Sequence, residues 1–383
     1  MILLFDVDGV LIENQAYRAA LRQTVAYFAR RLGLNEVRLT DADIEVFESQ
    51  SITVEWDSGA ICAAALLVER LKATPGVSLP PDLGGAFDQL AAQPVHLPQP
   101  DFGALARRVG AATPPGGLPS RAALELFRAE TPEATPILTH LLGDCYSIDR
   151  APAMQIFQNY ALGHRLYAEY YGLPAQVEGE PLLEKLDKSY LKAEMRDRLL
   201  ARRTAGAAFP ALYTARPSLA PIESGRTPRG YTPEAEIARK IAGLDPAPVM
   251  GFGKVDWLAR RTGYIGADLV KPSPVQSIAA IAAARTGLET ESLKAALAAV
   301  RGDHLRYPLT ACKGETVHIF EDSASSLRAV TRAVELLNRH GLNLRLVRHG
   351  VGPRGSPKRD TLAQAADVLH EDVNEGLAQV LSM

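Results

Sequence analysis

The sequence predicts an α/β protein: a Rossmann-like, doubly wound parallel sheet into which an all-helical domain is inserted. Three observations lead there. The chain opens on a continuous apolar run, Met1 to Phe5, that stops at Asp6-Val7-Asp8-Gly9. Comparable short apolar runs with polar endings return only after residue 208, alternating with helical patterns. Between residues 14 and 205 the pattern is helical, rich in Ala, Leu and Arg. Short, wholly apolar runs bounded by polar residues read as buried parallel strands, and their alternation with helices implies a sheet covered on both faces.

Residues 1–5 form the first expected strand. Helices are then expected at 15–32, 59–72, 120–129, 151–171 and 181–202, with no strand among them. Inside this stretch, 73–120 is rich in Pro and Gly, as in Leu79-Pro80-Pro81 and Thr113-Pro114-Pro115-Gly116-Gly117. A structureless loop of that length is uncommon in a compact domain, so the segment holds short helices near Phe87 and Leu105 or is partly mobile. The sheet resumes at 209–213, which ends at Thr214. Further strands are expected at 249–252, at 266–270 ending at Lys271, at 316–320 ending at Glu321-Asp322, at 344–347 and at 367–369. Helices at 233–243, 275–287, 325–341 and 374–381 separate them, and 217–232 is a second Pro/Gly/Arg-rich loop. The domain division expected from this is an α/β core of 1–13 with 206–383, and a helical insertion of 14–205.

Bulk properties narrow the function classes. The chain has 383 residues, 47% hydrophobic and 22% charged, which suits two or three ordinary globular domains. A net charge of −2 argues against a nucleic-acid partner, since such proteins are usually basic. The three cysteines, Cys62, Cys145 and Cys312, are far apart and form no CxxC pair, so neither a zinc site nor a disulfide framework is expected. The first apolar run is too short for a signal peptide, and nothing approaches the roughly 20 apolar residues that cross a bilayer. A cytoplasmic protein without a membrane partner, monomer or homodimer, is the expectation.

Asp6 and Asp8 are two apart in an extended chain, so both carboxylates face one side. Adjacent carboxylates repel unless a cation joins them, and magnesium, hard and oxygen-seeking, suits such a pair. A carboxylate can attack phosphorus, and a second one can pass protons to a leaving group and from water. Gly9 lets the backbone turn sharply beside them. Taken alone, the pair could also be a strand end with two solvated aspartates. Thr214 offers a hydroxyl donor, Lys271 a point charge, and Glu321-Asp322 acidic metal ligands, each expected just after a strand, where open α/β sheets bind ligands.

The set Asp6-x-Asp8-Gly9, Thr214, Lys271-Pro272 and Glu321-Asp322-Ser323 resembles the four motifs of the haloacid dehalogenase superfamily of phosphohydrolases, across 1–13 and 206–383. The resemblance implies Asp6 as nucleophile, with Asp8 as general acid/base and its backbone carbonyl on the metal. It implies Thr214 and Lys271 as holders of the phosphoryl group, and Mg²⁺ bound through Asp6, Asp8, Asp322 and Glu321, the last as ligand or just behind one. It also implies that the insertion is a cap, though larger than the small four-helix kind. Dehalogenating members lack the second aspartate and phosphonate-cleaving members replace it with a small residue, so Asp8 points to phosphate esters. The activity implied is a phosphatase acting on a small phosphorylated metabolite. The alternatives are a phosphomutase using the same aspartyl-phosphate and a non-catalytic protein of the same fold. Asn14, Arg18 and Arg216 are ordinary polar residues or substrate contacts. Trp56 and Asp57, in Glu55-Trp56-Asp57, either touch a polar substrate or anchor and cap the helix that follows.

Overall fold

The computed structural model describes residues 1–225, 229–355 and 359–382; of the expected loop at 217–232, residues 226–228 lie outside them. Contacts divide the chain into two compact units, Met1–Asn14 with Leu186–Met383, and Gln15–Lys185.

The first unit contains eight strands among the described residues: β1 (Ile2–Phe5), β2 (Ile12–Glu13), β3 (Lys188–Ser189), β4 (Phe209–Tyr213), β5 (Val249–Met250), β6 (Thr316–Glu321), β7 (Arg345–Val351) and β8 (Val368–His370). Six of them form one sheet in the order β5-β4-β1-β6-β7-β8, every neighbouring pair parallel. Strand β1 is apolar throughout because both of its faces are covered. Ile2 and Leu4 enter a core with the helices Pro274–Thr286, Glu289–Val300 and Ala324–Arg339. Leu3 and Phe5 enter the opposite core with the helices Ala193–Thr204, Glu234–Ala242 and Val373–Leu381. This is the doubly wound α/β arrangement that the alternating pattern implies.

The strand order places the site. From β1 the sheet grows outward through β4 and β5, and the chain then returns to the other flank of β1 with β6, β7 and β8. The order therefore reverses between β1 and β6. In open parallel sheets a crevice forms at that reversal, beyond the carboxyl ends of the strands. Asp6 follows β1 and Glu321 ends β6.

Three expectations are corrected. Residues 266–270 are not a strand: Gly266–Leu269 is a short helix, and Ile265 before it is 71% exposed. A run of five residues, here interrupted by Asp268, is too short for its periodicity to distinguish a strand from a helical turn. The helix expected at 181–202 is broken into Leu182–Leu186, β3 and Ala193–Thr204. The stretch 186–205 accordingly belongs to the α/β unit, where β3 pairs antiparallel with β2, and Asn374 holds the amide of Lys192 (2.8 Å) and the carbonyl of Tyr190 (2.9 Å).

The second unit is helical, with Glu55–Lys72 at its centre: residues 57–68 are buried without interruption, so over those turns no face of the helix meets water. Buried Arg70 ties it to neighbouring loops by donating to the carbonyls of Leu32, Leu90 and Gln93. The Pro/Gly-rich segment holds the helices Leu83–Ala91 and Phe102–Ala112, each capped by an aspartate: Asp82 accepts from Gly85 N and Asp101 from Ala104 N, both at 2.7 Å. Pro152–Tyr171 kinks at Gly163, whose φ of 71° only glycine adopts readily and whose absent Cβ would meet Pro181 N at 2.7 Å. Among the described residues no helix is long and apolar enough to cross a membrane.

One feature of the sheet sets its acid stability. His318, His349 and His370, on β6, β7 and β8, are all buried and linked in series: His318 Nδ1 lies 3.0 Å from His349 Nε2, and His349 Nδ1 2.9 Å from His370 Nε2. Each link needs one nitrogen with a proton and one without, so no two neighbouring rings of the row can both be charged. Burial pushes His318 down to about 4, with the nearby N-terminal ammonium adding to it; burial and the two flanking histidines push His349 to about 3; burial lowers His370. Folded values below the unfolded value of about 6.5 mean that the unfolded chain binds more protons as pH falls. The stability from these rings is thus complete above pH ~6.5 and is lost as pH drops towards ~4, on the order of 3 kcal/mol for each of His318 and His349. Urea unfolding at pH 7 and pH 4.5 should show this loss, and His349→Leu should flatten it.

Candidate active site

Asp6 leaves β1 with its amide still in the sheet, donating to Phe320 O at 3.0 Å, and the rings of Phe5 and Phe320 stack beside each other. The nucleophile candidate therefore stands on the most buried strand, and its side chain is itself nearly buried. The chain then turns tightly, with Gly9 N donating to Ile12 O and Ile12 N to Val7 O. Gly9 sits at φ +75°, and a Cβ there would lie 2.9 Å from Asp322 Oδ2. Both the backbone conformation and the approach of Asp322 require glycine. Glu321 is the last residue of β6, with its side chain fully buried, and its Oε2 accepts from Ser323 N at 3.1 Å.

Lys271 reaches this point from outside the sheet. Its Nζ lies 2.8 Å from Asp6 Oδ1 and 2.6 Å from Glu321 Oε1, and 4.9 Å over the ring of Tyr213. Gln276 explains how a residue after a helical turn is held so closely. On the first turn of Pro274–Thr286, its wholly buried amide accepts from Lys271 N (2.7 Å) and donates to Thr214 O and Met250 O (2.8 Å each). One side chain thus ties Lys271 to the ends of β4 and β5. A Gln on an apolar helix carries no signal in sequence, and it was not anticipated.

Thr214 ends β4, is 1% exposed, and its Oγ1 accepts from Arg216 N at 3.1 Å. The Arg216 side chain is buried and faces Asp8 and Asp187. Asp187 was likewise not anticipated; it sits in the break of the helix expected at 181–202. Asp8 consequently turns its carboxylate to Arg216, while Asp6, Glu321 and Asp322 bring carboxylate oxygens within 4.8 Å of one another.

Three carboxylates around one ammonium leave an excess of negative charge. Burial raises Asp6 well above the ordinary carboxylate range, Glu321 raises it further, Lys271 opposes this, and Asp322 and Asp8 add to it. Burial also raises Glu321 against the pull of Lys271. Burial alone would lower Lys271, but the two acids hold it well above its usual range. An all-oxygen, electron-rich donor set of this kind fits a hard divalent cation. Gly9→Ala should disturb it twice, through about 1–2 kcal/mol of left-handed backbone strain and by crowding Asp322. Urea unfolding should register the first effect, and a Mg²⁺ titration a roughly tenfold weaker affinity.

The remaining candidates divide between the two units. Asn14 belongs to the α/β unit, and its Oδ1 is buried with no hydrogen-bond partner among the described residues. Arg18, in the helical unit, pairs with Glu48 at 2.9 Å. Trp56 packs edge-on against Tyr146 and Phe157, and buried Asp57 accepts from Tyr146 Oη at 2.5 Å, all within the helical unit.

No family model and no curated protein matches the chain. Among solved structures, Northeast Structural Genomics Consortium target ZR25 is similar at a TM-score of 0.69 and 16% identity, over 99% of this chain and 98% of that one. The phosphatase Tt82 from Thermococcus thioreducens gives a TM-score of 0.47 at 16% identity, over 100% of this chain and 99% of that one, too low for an argument to rest on it. At 16% identity the likeness to ZR25 is one of fold, and it extends over nearly the whole length of both chains.

Proposed function

We propose that the chain is a Mg²⁺-dependent phosphatase of the haloacid dehalogenase type, acting on a small phosphorylated metabolite through an aspartyl-phosphate on Asp6. The observation that supports this best is the convergence of Asp6, Lys271, Glu321 and Asp322 at the reversal of strand order, with Asp8 two residues beyond Asp6.

Asp6, Glu321 and Asp322, with the backbone carbonyl of Asp8, would hold Mg²⁺, which supplies neutralisation of the phosphate charge. Lys271 draws Asp6 towards the ionised form that attacks, against the burial and neighbouring acids that raise it. Asp6 forms a bond to phosphorus as the ester P–O bond breaks, and Asp8 passes a proton to the departing oxygen. A water then gives its proton to Asp8 while its oxygen displaces Asp6 from phosphorus, which returns both acids to their starting states. Thr214 and Lys271 hold the transferring group.

The test is phosphate release from a panel of phosphorylated metabolites with Mg²⁺. Turnover of one compound class, lost with EDTA and regained with Mg²⁺, is expected. Transfer of phosphate to a second sugar-like hydroxyl without release would replace the phosphatase by a mutase, and the absence of both would overturn the reading.

A further inference from the structure

We infer that Arg216 is the residue that positions Asp8, and that Asp187 holds Arg216 in place; this rests on the function proposed above. Arg216 Nη2 donates to Asp8 Oδ1 at 2.6 Å, and Nε donates to Oδ2 at 2.9 Å and to Oδ1 at 3.1 Å. The same Nη2 donates to Asp187 Oδ2 at 3.1 Å. The side chains of Arg216 and Asp187 are 1% and 0% exposed, whereas that of Asp8 is 34% exposed. A buried fork therefore grips, from behind, a carboxylate whose other side meets solvent.

The backbone of Arg216 is held as firmly as its side chain. Its amide donates to Thr214 Oγ1 at 3.1 Å, and its carbonyl accepts from Phe252 N at 2.9 Å. Asp187 directly precedes β3, which pairs with β2 a few residues after Asp8. Both ends of the Asp8–Arg216–Asp187 row are thus tied to the two-stranded ribbon, and its middle to the end of β4. Such a row fixes a planar carboxylate in direction as well as place, which a lysine's single point charge does not.

Proton transfer to a leaving oxygen works only within hydrogen-bond reach and in the right direction. Oδ1 takes Nη2 and part of Nε, while Oδ2 takes only the shared Nε, so Oδ2 is the more lightly held oxygen and the one that passes the proton. Through Nε and Nη2, which are directed at Asp8 and Asp187, the fork positions the acid/base.

The experiment uses the full chain with Mg²⁺ and a series of aryl phosphates from phenyl phosphate to 4-nitrophenyl phosphate. A poor leaving group needs the proton from Asp8, and a good one does not. Arg216→Lys is expected to lower kcat about 10²-fold for phenyl phosphate and to leave the phosphoenzyme burst with 4-nitrophenyl phosphate nearly unchanged, with KM preserved. The dependence of rate on leaving-group acidity should steepen to that of Asp8→Ala, and the double variant should lose little more. Asp187→Asn, which keeps both Arg216 and Asp8, is expected to steepen it in the same sense and serves if Arg216→Lys does not fold. An equal loss in the rate of phosphoenzyme formation across the series, or a raised KM with that rate kept, would overturn the inference and make Arg216 a substrate contact or a purely structural residue. Wild-type protein that releases no phosphate from any ester would overturn the underlying function instead, and the inference with it.

Discussion

Asp6→Asn is expected to lower phosphate release by about 10⁴-fold or more, the scale seen when a covalent nucleophile is removed, while the protein keeps its fold. The amide is isosteric, and its backbone bond to Phe320 O is untouched. It also removes one of three mutually repelling carboxylates. The melting temperature should therefore hold or rise. Phosphate release measured beside a thermal melt separates the two effects. Retained turnover would remove Asp6 as nucleophile, and a collapsed melt would make the loss uninformative about chemistry.

Lys271→Met should separate charge from catalysis. The substitution keeps the length of the stem against Tyr213 and deletes the ammonium that lies between Asp6 and Glu321. Turnover is expected to fall about 10³-fold, the scale of losing one preorganised charged donor. Metal affinity should move the other way: with the ammonium gone, the three carboxylates offer a divalent cation a more negative site. Calorimetric titration with Mg²⁺ should show tighter binding than wild type. Weaker binding would mean that Lys271 shapes the carboxylate cluster rather than competing with the cation. Without metal, two buried acids left unpaired should destabilise the protein by several kcal/mol, and added Mg²⁺ should restore much of it.

How much of this could be read beforehand differs by residue. Strand β1 and the Asp6–Asp8 pair were legible because a buried parallel strand is wholly apolar and its end is marked by the first charge. Glu321-Asp322 was legible as the acidic pair that ends the mostly apolar β6. Lys271 was identified on a false premise, since the run before it is a helical turn and not a strand; what holds it near Asp6 is Gln276, whose bonds to Thr214 and Met250 join residues distant in sequence and leave no local pattern. Asp187 was hidden because Asp187-Lys188-Ser189 looks like the solvated face of a continuing helix. Only the pairing of β3 with β2 and the buried guanidinium of Arg216 give that carboxylate its place. The helices Leu83–Ala91 and Phe102–Ala112 could be located near Phe87 and Leu105 but not bounded, because Pro and Gly dilute the helical period on either side of the Asp82 and Asp101 caps.

The central claim is that Asp6 becomes phosphorylated during turnover. The most direct measurement is the mass of peptides from enzyme quenched in acid while it turns over a phosphate ester with Mg²⁺. The account predicts one phosphoryl group on the peptide containing Asp6, present in wild type, more abundant in Asp8→Ala relative to its turnover, and absent from Asp6→Asn and from EDTA-treated protein. Phosphate release without a covalent adduct, or an adduct on another residue, would contradict it.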